Sequence, residues 1–361
     1  MENTSDINFI NKREDIRSLT RSGILSAILE LSEKKFRADQ LFDWLHNKCV
    51  DDFDDMKNLP KELKKALSEK YELRRVIIED VLISKIDGTR KYLMRLDDGN
   101  IVECVLMRYE YGNSICISSQ VGCRMGCRFC ASTLDGLVRN LTAGEMLGQI
   151  YAVKKDINEK IGHVVIMGSG EPMDNFDEIV KFLEMITDEK GQNLSGRNIT
   201  VSTCGLVPKI YELADMKPAL TLAISLHATT DAKRREIMPI ANKYSINEIL
   251  DACRYYFEQT GRRLTFEYSL ISGVNDTKED AERLSNIVGG VMGHVNLIPV
   301  NPIKERDYVS TAHNGVLAFK NKLEKNHINV TIRREMGRDI EGACGQLRRK
   351  FIASQKGEDK C

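Results

Sequence analysis

Residues 116–145 read CISSQVGCRMGCRFCASTLDGLVRNLTAGE, and the fold of the chain follows from this stretch. Cys123, Cys127 and Cys130 form a C-x3-C-x2-C set directly after a short strand-like run. Three thiolates packed this closely repel one another unless a metal or a metal cluster shares their charge. A four-iron cluster is normally held by four thiolates, so three local ligands leave one iron with an open coordination site.

A zinc site is the main alternative, and it needs a fourth Cys or His ligand at short spacing. No His lies near the three cysteines, and the first one downstream is His163. A third interpretation treats the cysteines as incidental buried side chains, which their tight spacing disfavours. The spacing therefore favours an iron–sulfur cluster.

The cysteine triplet resembles the signature of the radical S-adenosylmethionine (SAM) superfamily. The flanking motifs Ser118-Ser119-Gln120-Val121-Gly122 and Gly136-Leu137-x-Arg139-Asn140-Leu141 are similar to those of the ribosomal-RNA adenine C2-methyltransferases of the RlmN type. The resemblance implies a [4Fe-4S] cluster on Cys123, Cys127 and Cys130, whose open iron binds SAM. It also implies that the reduced cluster splits SAM into methionine and a 5′-deoxyadenosyl radical, with two SAM molecules used per turnover.

Composition sets only broad limits on the fold and the function. A chain of 361 residues can bury one large core and a small accessory domain. Lys plus Arg and Asp plus Glu both number 53, so the zero net charge gives no hint of a nucleic-acid partner. The ten scattered cysteines do not form a secreted disulfide framework in a chain this long.

Neither the first residues nor the longest uncharged run suggests export or insertion into a membrane. The first residues lack a basic region followed by an apolar one, which is the pattern of a signal peptide. The longest uncharged run, residues 284–303, is interrupted by glycines and Pro299 and cannot span a membrane. We therefore expect a cytoplasmic protein with no membrane contact.

The pattern along the chain predicts four regions: 1–75, 76–108, 109–340 and 341–361. The first reads as short amphipathic helices, one of which begins at Pro60, and its lysines indicate either a solvated face or an RNA contact. The resemblance favours an RNA-binding accessory domain. The second alternates with period two around the turn signal Asp97-Asp98-Gly99-Asn100, which predicts a β-hairpin element linking to the core.

Residues 109–340 alternate between apolar strand-like runs and helical segments. Thr142-x-x-Glu145 is a capping box that opens the first helix after the cysteines. Uncharged strands separated by helices predict an α/β fold with a parallel sheet buried on both faces. About six such units are too few for a closed eight-fold barrel, so we expect an open partial (β/α)6 barrel, the radical SAM core, with its chemistry at the carboxyl ends of the strands.

Polar clusters at those strand ends predict the SAM site. The turn Gly168-Ser169-Gly170-Glu171-Pro172 lacks the third glycine of a dinucleotide fingerprint and would alone be a plain glycine turn. His227 alone would more often be a core histidine with its hydrogen bonds satisfied. The resemblance instead assigns SAM binding to seven residues: Gly170, Glu171, Ser202, Ser225, Leu226, His227 and Asn301.

Three further residues gain catalytic roles from the resemblance alone. Glu103 lies on an apolar strand, where a solvent-facing glutamate would be the default, and the family uses it as the base for the adenine C2 proton. Cys344 lies in Ala-Cys-Gly-Gln-Leu and matches the methyl-carrying cysteine of the family. The arginines and lysine around it (Arg333, Arg334, Arg338, Arg348, Arg349 and Lys350) would lower its pKa or hold RNA phosphates. Cys116 matches the second catalytic cysteine, which releases the product and leaves a disulfide.

The substrates implied are an adenosine in the peptidyl-transferase region of 23S ribosomal RNA and the adenosine beside the tRNA anticodon. An external, flavodoxin-like electron donor and a monomeric protein are also expected. The nearest rival is the related antibiotic-resistance class that methylates C8, whose members tend to lack a proline where this chain has Pro172. A metal-stabilised RNA-binding module without catalysis is a second alternative, but binding alone would not require Glu103, Cys116 and Cys344 together.

Overall fold

The computed structural model describes residues 13–303 and 305–340. Cys344, Arg348, Arg349 and Lys350 lie outside the described residues, as does the whole predicted C-terminal region 341–361.

The N-terminal region forms a helical unit with its own apolar core. Its elements, in chain order, are β1 (Glu14–Asp15), α1 (Arg21–Glu30), α2 (Phe36–Phe42), α3 (Lys61–Lys70) and β2 (Tyr71–Glu72). Thr20 caps α1 by accepting a hydrogen bond from the Gly23 N–H, and α3 follows Pro60 as the sequence predicts. Ile24, Leu41 and Leu63 are buried together between the helices.

Four antiparallel strands follow and lead directly into the core sheet. They are β3 (Ile77–Ile83), β4 (Arg90–Arg95), β5 (Ile101–Tyr109) and β6 (Gly112–Ile117). The predicted turn at residues 97–100 joins β4 to β5, and Gly99 takes the positive φ of 83° that such a turn needs. The cysteine loop lies between β7 (Gln120–Gly122) and β8 (Leu137–Asn140), which pair with each other as a separate two-stranded ribbon.

The rest of the described chain alternates helices and parallel strands. In chain order these are α4 (Ala143–Ile157), β9 (His163–Ile166), α5 (Phe176–Thr187), β10 (Ile199–Thr203), α6 (Val207–Asp215), β11 (Thr221–Ser225), α7 (Asp231–Ile237), α8 (Ile246–Thr260), β12 (Leu264–Leu270), α9 (Lys278–Val288), β13 (Gly293–Pro299), α10 (His313–Lys325) and β14 (Val330–Ile332). The capping box at Thr142 and Glu145 forms as predicted.

One ten-stranded sheet carries the fold, with the strand order β14-β13-β12-β11-β10-β9-β6-β5-β4-β3. Strands β6 and β9 to β14 run parallel in consecutive order, so their carboxyl ends lie along one edge of the sheet. The predicted α/β fold, with parallel strands that alternate with helices, is confirmed. The four region boundaries stay a prediction, although β3 to β5 hydrogen-bond into the same sheet as the core.

Helix α7 is an element that the sequence pattern did not predict. It contains seven residues and follows Thr230, whose side chain accepts a hydrogen bond from the Lys233 N–H. A helix of two turns with adjacent charged residues shows too little apolar periodicity to be detected. Among residues 13–303 and 305–340, no helix is both long and apolar enough to cross a membrane.

Candidate active site

A cavity of about 270 Å³ opens at the carboxyl ends of the parallel strands. The three cysteines of the loop line it, together with six of the seven residues predicted to bind SAM: Gly170, Glu171, Ser202, Ser225, His227 and Asn301. Leu226 is not part of the wall; it is fully buried behind it. The strand-end clusters therefore converge on one site next to the cysteines, as a ligand of SAM's size and polarity requires.

The loop of Cys123, Cys127 and Cys130 is held by its own backbone and by helix α7. The Cys123 N–H donates to the Gly136 carbonyl at 2.8 Å, and the Arg128 N–H donates to the Ile237 carbonyl at 2.9 Å. The Thr133 hydroxyl lies 3.0 Å from the Cys127 carbonyl and 2.9 Å from that of Cys130. These bonds fix the three thiols at the cavity without any disulfide among them.

Gly122 explains why a glycine directly precedes the first cysteine. It has a positive φ of 76°, and a Cβ atom there would collide with the carbonyl oxygen of Gly136. That same carbonyl accepts the hydrogen bond from Cys123. A larger residue would therefore separate the two strands of the ribbon and move the first thiol.

Arg139, which follows the cysteine loop, connects the ribbon to two neighbouring elements. Its guanidinium binds both carboxylate oxygens of Glu145 at 2.8 Å and also pairs with Asp98. Glu145 simultaneously caps α4 by accepting from the Thr142 N–H. The sequence motif therefore ties the ribbon to the first helix of the core and to the turn between β4 and β5.

The Ser118-Ser119-Gln120 segment connects three parts of the site. The Ser118 hydroxyl donates to the Glu103 carbonyl at 2.8 Å and accepts from the Ser169 N–H at 2.9 Å. The Gln120 side chain accepts from the Glu171 N–H and donates to Asn140. These residues are buried, so their polar groups specify the relative positions of the strand ends.

Glu171 is fixed by backbone donors on both of its carboxylate oxygens. One oxygen accepts from the Met173 N–H at 3.0 Å and the other from the Cys204 N–H at 2.7 Å. Burial raises the pKa of Glu171, and the bond from Cys204 opposes that rise. Gly170 has a φ of 111° and no room for a Cβ beside Gln120, so the turn packs closely against the Ser119–Gln120 segment.

His227 is held as a neutral side chain in the cavity wall. Its Nδ1 accepts from the Ser269 N–H at 2.9 Å, which places the ring proton on Nε2. Burial, with a smaller contribution from Arg234, lowers the pKa of His227 to about 3. Phe129 of the cysteine loop packs edge-on against the ring at 4.8 Å.

The cysteine thiols that line the cavity fit the ligand set of an iron–sulfur cluster. Burial raises the pKa of Cys123 to about 12 and that of Cys127 well above its ordinary value, with mutual repulsion of the thiols adding to the rise. Only a bound metal would keep such thiols ionised. Within the described part of the chain, no three His, Cys, Asp or Glu side chains could hold a single metal ion, whereas thiols that bind different irons of a cluster lie further apart.

Glu103 and Cys116 lie on one face of the sheet, beside this cavity. Cys116 on β6 pairs with Val105 on β5, and Glu103 is two residues from Val105, so all three side chains share that face. Neither Glu103 nor Cys116 lines the 270 Å³ cavity, but Met167 lines it and also packs in the cluster that contains Cys116. The structure therefore brings the two predicted catalytic residues together.

Glu103 does not face solvent, which would be the default for a glutamate on such a strand. The residue is 1% exposed, and its carboxylate pairs at 3.3 Å with Lys91, which is fully buried on the neighbouring strand β4. Met336 packs on the same face against Val105, Met107 and Cys116. The chain therefore passes Cys116 shortly before it reaches the undescribed segment that contains Cys344.

A charged residue that the sequence analysis did not select, Glu267, also lines the cavity. Glu267 on β12 is 4% exposed and accepts from the Asn296 amide at 2.9 Å. Burial raises its pKa, and Arg333, which also lines the cavity, opposes that effect. The sequence did contain a signal for Glu267, because it is a charged residue inside an otherwise apolar strand. Glu103 gives the same signal.

Two family models match the chain, one within the parallel-sheet core and one over the N-terminal helical unit. Residues 117–284 match the family model of the Radical SAM superfamily. Residues 14–73 match that of the ribosomal RNA large subunit methyltransferase N-terminal domain.

Full-length relatives and one solved structure agree with these matches. The chain is 61% identical to a probable dual-specificity RNA methyltransferase RlmN from Lachnospira eligens over 94% of this chain and 97% of the relative. It is 57% identical to a protein of the same name from Lachnoclostridium phytofermentans, over 95% and 96% of the two chains. The crystal structure of a radical SAM methyltransferase from Sphaerobacter thermophilus is similar with a TM-score of 0.87 and 38% identity, over 92% and 98% of the chains.

Proposed function

The chain belongs to the RlmN family of radical SAM RNA methyltransferases, and from this membership we propose that it methylates C2 of adenosine. The proposed substrates are an adenosine in the peptidyl-transferase region of 23S ribosomal RNA and the adenosine 3′ to the anticodon in tRNA. The observation that carries the proposal is the shared sheet face of Glu103 and Cys116, next to a cavity lined by the three cysteines.

Members of this family use a [4Fe-4S] cluster and SAM, and the cavity offers ligands for both. We propose that Cys123, Cys127 and Cys130 hold the cluster, and that the wall residues Gly170, Glu171, Ser202, Ser225, His227 and Asn301 bind SAM. Leu226 would act through its backbone position behind the wall. When bound, the reduced cluster supplies an electron that splits SAM and generates the 5′-deoxyadenosyl radical.

The residues of the chain would solve a specific chemical problem. Adenine C2 is electron-poor and is not a nucleophile, so it cannot take a methyl group from SAM directly. The Cys344 thiolate instead accepts the methyl group by nucleophilic displacement. The 5′-deoxyadenosyl radical would then take one hydrogen atom from that methyl group and become 5′-deoxyadenosine. The remaining carbon radical would add to C2, which links the RNA to Cys344, and the adduct would give up its unpaired electron to the oxidised cluster.

Glu103 and Cys116 would complete the turnover. Glu103 takes the C2 proton as a general base, and its pairing with Lys91 fixes the direction of the carboxylate. The Cys116 thiolate then attacks the sulfur of Cys344, the bond between that sulfur and the linking carbon breaks, and the carbon takes a proton to give the methylated RNA. The resulting Cys116–Cys344 disulfide must be reduced before the next turnover. We also propose a flavodoxin-like protein as the external electron donor of the enzyme.

The remaining proposals concern the setting of this reaction. RNA is the substrate class of the family, and the target base must leave its stack to reach a cavity at the strand ends. The helical unit of residues 13–75 presents basic and aromatic side chains such as Lys48, which lies 3.8 Å from the Trp44 ring centroid, and we propose that it contacts RNA. We also propose that the protein acts as a monomer in the cytoplasm.

Nucleoside analysis of treated RNA tests the function. RNA from cells that lack their own enzyme is incubated anaerobically with the reconstituted protein, SAM and a reductant, then digested and compared with chromatographic standards by mass spectrometry. We expect 2-methyladenosine in both ribosomal RNA and tRNA. 8-Methyladenosine would instead assign the chain to the C8 class, and no methylated adenosine from a loaded protein that cleaves SAM would refute the RNA substrate.

A further inference from the structure

Arg234 on helix α7 is a fully buried cation directly behind the cysteine loop. Its Nε donates to the Leu226 carbonyl at 3.1 Å, and its Nη2 donates to the carbonyls of Cys204 at 2.6 Å and Ser225 at 3.2 Å. These three carbonyls lie at or directly after the carboxyl ends of β10 and β11. The guanidinium therefore lies under the strand ends that form the wall of the site.

No carboxylate in the described part of the chain forms an ion pair with Arg234, and its Nη1 is buried with no hydrogen-bond partner there. An arginine keeps its charge in proteins, and a buried charge without compensation is strongly unfavourable. Burial lowers the pKa of Arg234, and the groups that oppose this effect are, in order, the thiols of Cys204 and Cys127 and the Asp231 carboxyl. Two of these three are cysteines, and Cys127 is in the metal-binding set.

Arg234 is not a wall residue of the cavity, so it is not placed to touch SAM. Helix α7 is also bonded to the loop itself, through the Ile237 carbonyl and the Arg128 N–H. Cys127, Cys204 and Met238 pack together in one small apolar cluster between the helix and the loop. The cation therefore lies on the protein side of the cysteine ligands, opposite the open side where SAM would bind.

We propose that Arg234 is a positioning residue for the cluster, whose positive charge compensates the negative charge of the Cys127 thiolate and raises the reduction potential of the cluster. The inference rests on the cluster of the proposed function but not on its RNA substrate. Three thiolates outweigh the charge of the cluster core, and reduction adds one further electron to an already anionic group. A buried cation stabilises the reduced form more than the oxidised form, because net charge and hydrogen bonds to the sulfurs set such potentials.

A redox titration of the loaded protein tests this role without any RNA. The wild-type protein and Arg234→Gln are loaded with iron and sulfide, poised with mediators, and the reduced cluster is quantified by electron paramagnetic resonance. We expect Arg234→Gln to lower the equilibrium constant for one-electron reduction at least tenfold, which is about 59 mV towards more negative potential. Arg234→Lys keeps the charge and should stay close to the wild-type potential.

Arg283→Gln is the matched control, because it removes a cation that binds Asp280 and Thr229 instead of the backbone around the loop. Its potential should equal that of the wild type. An unchanged potential in loaded Arg234→Gln would overturn the inference. If Arg234→Gln does not load a cluster, Arg234→Lys becomes the deciding variant. A wild-type potential in Arg234→Lys supports the charge effect, whereas a tenfold weaker reduction despite the retained charge excludes the charge effect.

Failure of the proposed function and failure of the inference about Arg234 would give different results. A wild-type protein that binds no cluster would refute the proposed function itself, before any variant is compared. A loaded wild-type protein whose potential does not depend on Arg234 would refute only the inference.

Discussion

Replacing Cys116 with alanine is expected to trap a covalent complex between the protein and its RNA. Without a thiol on β6 to attack the sulfur of Cys344, the RNA stays attached after its C2 carbon has been alkylated. Product release should fall at least about a hundredfold, the order expected when a group that acts directly in the chemistry is removed. Denaturing gel electrophoresis, followed by nuclease digestion and mass spectrometry of the peptide containing Cys344, measures the adduct.

Cys104→Ala is the control for this experiment. Cys104 is the neighbour of Glu103 on β5, so its side chain points to the opposite face of the sheet, where it is fully buried in the main core. The control variant should release product normally and form no adduct. Normal product release by Cys116→Ala would refute the role of Cys116.

Replacing Glu103 with glutamine is expected to reduce methylation by about 100-fold to 10,000-fold, the usual contribution of a general base. The same change removes the carboxylate that faces Lys91 at 3.3 Å in a site where both side chains are buried. Breaking a buried ion pair on one side typically costs about 3–5 kcal/mol of stability. Thermal unfolding and single-turnover methylation therefore have to be measured on the same protein.

The double variant Lys91→Met/Glu103→Gln separates the two effects. It removes both charges of the pair, and neutral replacement of a buried pair is often tolerated. We expect its stability to recover towards that of the wild type while methylation stays lost. Recovery of methylation together with stability would show that Glu103 has only a structural role.

The cysteine loop and its helices were predictable because their signals are local. The spacing of Cys123, Cys127 and Cys130 carries its own chemistry, and the capping box at Thr142 and Glu145 marks a helix start within four residues. The strand-end residues also met in one cavity, because parallel strands bring their carboxyl ends to the same edge.

What the sequence did not predict depends on contacts between distant elements. The pairing of Lys91 with Glu103 requires the register between β4 and β5, which alternation within either strand does not determine. Arg234 lies on a two-turn helix with weak periodicity, and its burial follows from carbonyls contributed by β10 and β11. From the sequence alone Arg234 would be taken for a solvent-exposed residue, and only the fold shows that it is buried.

The most direct measurement uses SAM with three deuterium atoms in its methyl group, followed by mass spectrometry of the methylated adenosine. A route through methyl-Cys344 removes one of these atoms before the carbon reaches C2. We therefore predict that the product methyl group keeps two of the three deuterium atoms and that the third appears in 5′-deoxyadenosine. Retention of all three atoms would mean direct transfer from SAM and would contradict the roles proposed for Cys344, Cys116 and Glu103.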